Sequence, residues 1–206
     1  MNEERNVHSR RVGLKDIHVA LVTKNDATGY ATDTPIKLAR AISAKVSDKF
    51  SSEKTYSDDT VEGTVTIYEG TDIELEVNAL TPAEKAMLFG HLYEKGYLVK
   101  GKDDKPNEIA IGYRRKRLNG KYEFVWYYCG TASEGMEETD ETKKDKVSTQ
   151  TDTVKLSCYA REYDGNFGNS VDESNLLTED KDAAGAIADW FSKVQEWPTS
   201  TAAIGG

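Results

Sequence analysis

The side chains able to do chemistry are few and scattered. His8, His18 and His91 stand alone along the chain, and an isolated histidine is more often a structural side chain than a catalytic one. Cys129 and Cys158 form no C-x-x-C and have no histidine pair nearby, so they spell neither a disulfide framework nor a zinc site and are expected reduced and buried. The chain has no phosphate loop, dinucleotide fingerprint, nucleophile elbow or H-E-x-x-H. Asp164-Gly165-Asn166-Phe167-Gly168-Asn169 begins like a calcium loop, but Asn169 stands where glycine is required and Asn175 where the bidentate Glu belongs, so it reads as a turn. No catalytic, cofactor-binding or metal-binding residue is therefore expected, and the reading is of a protein that is not an enzyme.

What remains is charge. Arg114-Arg115-Lys116-Arg117 lies beside aromatic residues, a pairing that can clamp a nucleic-acid strand, but strand alternation sends its members to both faces of a hairpin. An edge or subunit-interface role for this cluster is expected instead. Asp72, Glu74 and Glu76 alternate with Ile73, Leu75 and Val77, giving one strongly acidic strand face. With 36 acidic against 27 basic residues, a net charge of −9 and a pI near 5.0, the chain is a poor sequence-reading DNA binder, since DNA affinity rests on phosphate neutralisation.

The elements that must hold these groups belong to one domain of 206 residues. Charged residues make up 31% of the chain, above the ~25% of an average domain, which leaves a polar domain with a modest core. That composition excludes a membrane protein, a collagen-like fibre and a disulfide-dense miniprotein, and with only 4 Pro a Pro-rich disordered chain. Residues 1–12 are charged, lack the apolar core of a signal peptide and read as a mobile arm, so an intracellular birthplace is expected. Alternation predicts strands over 14–22, 36–50, 61–68, 73–77 and 154–158. Thr81-Pro82-Ala83-Glu84 is a capping box opening a helix expected to reach Glu94, with Ala83, Met87, Leu88 and Leu92 as its buried stripe and Gly96 ending it. Asn119-Gly120 predicts a two-residue type I′ hairpin with Ile109, Ile111, Tyr113, Phe124, Trp126 and Tyr128 on one face. Ala183–Val194 predicts a C-terminal helix whose stripe is Ile187, Trp190, Phe191 and Val194, and residues 198–206 read as a disordered tail. Residues 51–60 are polar and read as a loop.

In combination, Tyr56-Ser57-Asp58-Asp59, the strand ending Ile73-Glu74-Leu75-Glu76-Val77, the helix LTPAEKAMLFGH, the hairpin IAIGYRRKRLNGKYEFVWYYCG and the polar loop after it resemble the major tail proteins of long, non-contractile-tailed, siphovirus-type bacteriophages of Gram-positive hosts. The resemblance spans roughly residues 13 to 196. It implies a mainly β subunit, an antiparallel β-sandwich or half-barrel of the phage tail tube fold, with a flanking α-helix and a short C-terminal helix. Such subunits form stacked hexameric rings, the tube through which the genome is delivered, and have no enzymatic activity and no cofactor. The implied partners are further copies of the chain, the tape measure, tail terminator and distal tail proteins, and viral DNA passing without specific binding; no membrane is implied. The implied location is the virion tail, after synthesis and assembly in the host cytoplasm. Carried onto this chain, the N-terminal arm (about 1–15) and the 49–62 loop tie rings together. Tyr56, Asp58, Asp59, Arg115 and Arg117 are the expected interface residues, and Glu74 and Glu76 the expected lumen-facing ones. The alternatives are a small-ligand-binding β-barrel, which needs an apolar cavity, and a nucleic-acid-binding module built on Arg114–Arg117.

Overall fold

The computed structural model describes residues 7–38, 40–57, 60–138 and 151–198, with backbone alone for 54–57, 60–63 and 138. The chain is mainly β, an antiparallel sheet with two helices. In order, the elements are β1 (Arg11–Asp26), β2 (Gly29–Thr32), β3 (Ile36–Lys37), β4 (Ala41–Ser57), β5 (Thr60–Val77), α1 (Pro82–Phe89), β6 (Leu92–Glu94), β7 (Tyr97–Val99), β8 (Ile109–Arg117), β9 (Tyr122–Ala132), β10 (Glu137–Glu138), β11 (Asp152–Tyr159), β12 (Gly168–Asp172) and α2 (Lys181–Ala188). One ten-stranded sheet runs β2-β1-β8-β9-β11-β5-β4, with β12 sharing the outer edge of β9 with β11, while β6 and β7 form a separate hairpin.

Alternation on β1, β5 and β11 sends Ile17, Val19, Ile73, Leu75, Val77, Val154 and Leu156 to one face of the sheet. Leu80, Leu88 and Phe89 from α1 and its lead-in pack against them. Because side chains of β1 and β5 meet in one cluster although three strands separate them, the sheet must bend. The bend also brings β1 and β4 together without pairing among the described residues. The second core lies on the opposite face, over β1, β8 and β9, with Tyr30 of β2, Tyr159 of β11 and Val171 of β12 at its margin. There Ala20, Ala110, Phe124, Trp126 and Tyr128 are covered by Trp190 and Val194, with Ile187 and Phe191 alongside. The stripe expected of the C-terminal helix is thus intact, although α2 stops at Ala188 and the remaining residues reach the core through turns.

Two cores arise from a register that differs from the expected one. The β8–β9 connection is a three-residue loop, 118–120. Arg117 N donates to Lys121 O at 2.8 Å, Gly120 N donates to Arg117 O at 3.1 Å, and Gly120 takes φ +83°. Tyr113 therefore pairs with Val125 and Gly112 with Trp126. A one-residue shift moves every side chain to the other face. Ile109, Ile111 and Tyr113 stay in the first core with Val125, while Phe124, Trp126 and Tyr128 build the second. Gly112 permits this, since a Cβ there would lie 2.5 Å from the Trp126 ring.

The capping box is present: Thr81 Oγ1 accepts from Glu84 N, and Glu84 Oε2 accepts from Thr81 N at 2.7 Å. The helix ends at Phe89 rather than Glu94, because Gly90 takes the left-handed conformation at φ +70° and the chain turns away there. Leu92, expected in the buried stripe, is 57% exposed on β6. Lys95 and Gly96, both at positive φ, turn β6 into β7, so the glycine expected to end a helix serves a tight hairpin instead.

Candidate assembly surfaces

The segment 49–62, expected as a loop, is a β-hairpin: β4 pairs with β5 from Ala41↔Val77 to Ser57↔Thr60. Only residues 71–77 of β5 also pair with β11, so beyond Lys49 and Gly70 the two strands have no partner but each other among the described residues. They leave the sheet as a two-stranded ribbon. Gly70 marks the departure, where a Cβ would sit 2.2 Å from the Cys158 carbonyl oxygen. At the base, the Tyr68 ring lies 4.4 Å from Phe167 and 5.4 Å from Phe50. Phe50, Val65 and Ile67 are each more than half exposed. The sequence shows these three as ordinary alternating apolar residues, and only the missing neighbouring strand reveals that they face water. Of the expected interface residues in this region, Asp58, Asp59 and the Tyr56 side chain lie outside the described residues.

Arg115 and Arg117 sit at the β8–β9 turn, with side chains only 15% exposed. Arg115 donates to Glu123 Oε1 at 3.3 Å and to Tyr113 Oη at 2.7 Å. Arg117 pairs with Glu123 at 3.1 Å and Asp172 at 2.7 Å and donates to Ser9 O at 2.9 Å. Arg11 reaches Glu123 as well, at 3.2 Å. These hydrogen bonds are spent inside the subunit, where they pin residues 9–11 to the hairpin. The described part of the N-terminal arm is thus tied down, with Val7 N also donating to Asn175 Oδ1 at 2.8 Å. Arg114 pairs with Asp16, donating through Nε at 2.7 Å, and stacks on Tyr122. The side-chain bond from Lys37, together with Arg114, holds the Asp16 carboxyl below the usual carboxylate range. With its three arginines so engaged, the basic run makes a poor clamp for nucleic acid.

Glu74 and Glu76 project from β5 on the face opposite the first core, between β4 and β11. Register sets Lys45 and Lys155 on either side of Glu74, and Ser43 and Thr153 on either side of Glu76. Glu76 accepts from Ser43 Oγ at 2.9 Å and from Thr151 Oγ1 at 3.0 Å. Lys155 pairs with Glu134 at 2.6 Å, and Lys49 with Asp72 at 2.7 Å. The strongly acidic face of β5 is thus the middle rung of a charge ladder. Its three lysines, Lys45, Lys49 and Lys155, stand among the five carboxylates Asp72, Glu74, Glu76, Glu134 and Glu137. No helix or loop of the described residues buries this part of the sheet, and Glu74 and Lys45 are exposed.

One organising residue escaped the sequence reading. Arg161, 3% exposed at its side chain, forks onto Asp164 at 2.7 and 2.6 Å, reaches Glu196 at 2.7 Å and lies over the rings of Tyr30 and Tyr128. That bidentate bond holds the Asp164 carboxyl far below its usual range. Arg161 thereby fastens the chain after α2 to the 160–167 turn, whose Phe167 supports the ribbon base. The Asp164-Gly165 pair signalled the turn, but the partners on Glu196 and Tyr128 are too distant in sequence to be read.

Among the described residues no cluster of His, Cys, Asp or Glu could hold a metal ion, and no helix is long and apolar enough to cross a membrane. Both cysteines are buried, and burial pushes the Cys158 thiol up to about 12. His18 stacks on Phe191 at 4.2 Å. A cleft of about 490 Å³ beside α1 is lined by Lys85, Lys100, Asp104 and Glu134 together with the apolar Phe89 and Met136. No family model matches the chain, and no curated protein matches it significantly.

Proposed function

We propose that this chain is a structural virion protein, a tail tube subunit of half-barrel type that assembles as stacked hexameric rings around the channel for a phage genome. The β4–β5 ribbon carries the reading. A two-stranded hairpin alone is marginal in water, and this one leaves the sheet with Phe50, Val65 and Ile67 exposed. Such a projection gains its burial from a neighbour, and identical subunits that reach into one another assemble by repetition.

The charge ladder supports the same reading. DNA that must slide through a tube cannot be held by its wall, and each free lysine adds sequence-independent affinity for phosphate. On the face of β4, β5 and β11 each lysine has a carboxylate beside it, and the surface keeps a negative balance. We assign this face, with Glu74 and Glu76, to the channel. The tape measure, tail terminator and distal tail proteins complete the proposed partners, and the virion tail is the proposed location.

Light scattering coupled to size-exclusion chromatography, followed by negative-stain microscopy, tests the reading. Six-membered rings or tubes are expected. A protein that stays monomeric at every concentration, alone and with tail initiator proteins, would overturn it.

A further inference from the structure

Of the three tryptophans, Trp126 and Trp190 are buried, while Trp197 is 68% exposed. Its backbone is nevertheless held firmly. Val194 and Gln195 just before it are buried, Asn169 Nδ2 donates to Gln195 O at 2.9 Å, and Trp197 N donates to Tyr128 Oη at 3.3 Å. Between them Glu196 accepts from Arg161 at 2.7 Å. Only the indole is left in water. A large amphipathic ring on a fixed backbone offers contact area at little cost in conformational entropy.

Trp197 lines an open cleft of about 550 Å³, within the ~300–1,000 Å³ typical of small-molecule sites. Tyr163, 46% exposed, lines it too, with Tyr30, Arg161, Lys193 and Glu196 among the other walls. Charge narrows the ligand that fits. Aromatic rings beside a carboxylate could cage an alkylated ammonium, but the Arg161 guanidinium already fills that role, 4.7 Å from the Tyr30 ring centre, 4.1 Å from that of Tyr128 and 5.5 Å from that of Tyr163. It is not open to an anion either, because Asp164 and Glu196 both pair with it. Arg161 and Lys193 against Asp164 and Glu196 leave the cleft neutral. A wholly apolar ligand would strip water from Lys193 and Glu196 without replacing it. The lining instead suits a neutral ligand with an apolar face and a polar edge. A pyranose ring has both: its C–H groups stack on the electron-rich face of an aromatic ring, and its hydroxyls hydrogen-bond to charged side chains.

We propose that this cleft is a binding site for a neutral oligosaccharide, stacked on Trp197 and Tyr163 with its hydroxyls on Lys193 and Glu196. Arg161 is the positioning residue. It ties Glu196 to the 160–167 turn and lies over one face of Tyr163, so the two stacking residues are set in place before a ligand arrives. The site stands on the cleft alone and does not depend on the tube reading.

The test applies the full chain to a glycan array carrying neutral glucose, galactose and N-acetylhexosamine oligomers beside sialylated and sulfated ones. At least one neutral oligomer should be retained. Added in solution, that oligomer should shift the tryptophan emission, a signal that reports Trp197 because the other two indoles are buried. Trp197→Ala and Tyr163→Ala should each weaken retention about tenfold and barely move the melting temperature, since both side chains are largely in water and the bond from the backbone N of residue 197 is kept. Trp197→Phe and Tyr163→Phe, which keep a ring, should retain most of the binding. An array that holds no neutral oligomer, retention untouched by Trp197→Ala, or binding confined to anionic glycans and lost in Lys193→Ala would each overturn the assignment. So would an emission shift on shortening the chain at Pro198 with no sugar present, which would mean that residues 199–206 fill the cleft. If the alanine variants unfold, the emission of the parent chain decides: a shift with the retained oligomer supports the site, and no shift overturns it.

Discussion

Over β1, β8 and β9 the outer face of the sheet lies under the C-terminal segment, whereas over β11, β5 and β4 no helix or loop of the described residues buries the same face. In the covered half the outward positions are small or aromatic, with Ala20, Ala110 and Gly112 against Phe124, Trp126 and Tyr128. In the bare half they are Ser43, Lys45, Ser47, Asp72, Glu74, Glu76, Thr153, Lys155 and Ser157. The covered half spends its outer face on stability. The bare half draws its burial from the inner face alone, which leaves its outer side free to meet whatever passes.

Substitutions in the two halves should therefore differ in kind. Trp126 is fully buried and donates through Nε1 to Trp190 O at 3.0 Å. Trp126→Ala should lower the unfolding free energy by about 3–5 kcal/mol, measured by denaturant titration. Arg161→Ala should come next, at about 2–3 kcal/mol. It orphans Asp164 and Glu196, but both are partly exposed, which holds the loss below that of a fully buried pair. Limited proteolysis of that variant should release the segment after Ala188 first.

A smaller effect is expected of pH. Burial lowers the His18 pKa below its usual 6.5. As pH falls below ~6.5 the unfolded chain takes up a proton that the folded imidazole resists, so stability is complete above that pH and declines beneath it. His18→Phe, which keeps a ring against Phe191, should remove that part of the decline in melts run from pH 7.5 to 5. In the bare half, Glu74→Lys with Glu76→Lys should shift the melting temperature by no more than about 4 °C, yet impair genome delivery, because it turns the middle of the ladder cationic. Unchanged ejection and infectivity would count against a channel role for this face.

The two halves were also unequally legible. Strict alternation in Ile73-Glu74-Leu75-Glu76-Val77 and in Val154–Cys158 announced strands with one face in water, and the structure has them so. The β8–β9 pair carries charges only near its turn, Arg114, Lys116, Lys121 and Glu123 among them, and is apolar on both faces beyond it, so register rested on the turn, where one residue of loop length reassigned three aromatic rings. The capping box at Thr81 was readable because its partners lie three residues apart. Arg161, the exposed Leu92 and the ribbon depend on long-range neighbours, present or missing, which local pattern does not encode.

Electron cryomicroscopy of the assembled protein tests the central claim most directly. The account predicts six copies per ring with the β11–β5–β4 face, Glu74 and Glu76 included, turned toward a central channel. A map in which that face points outward, or in which the copies enclose no channel, would contradict it.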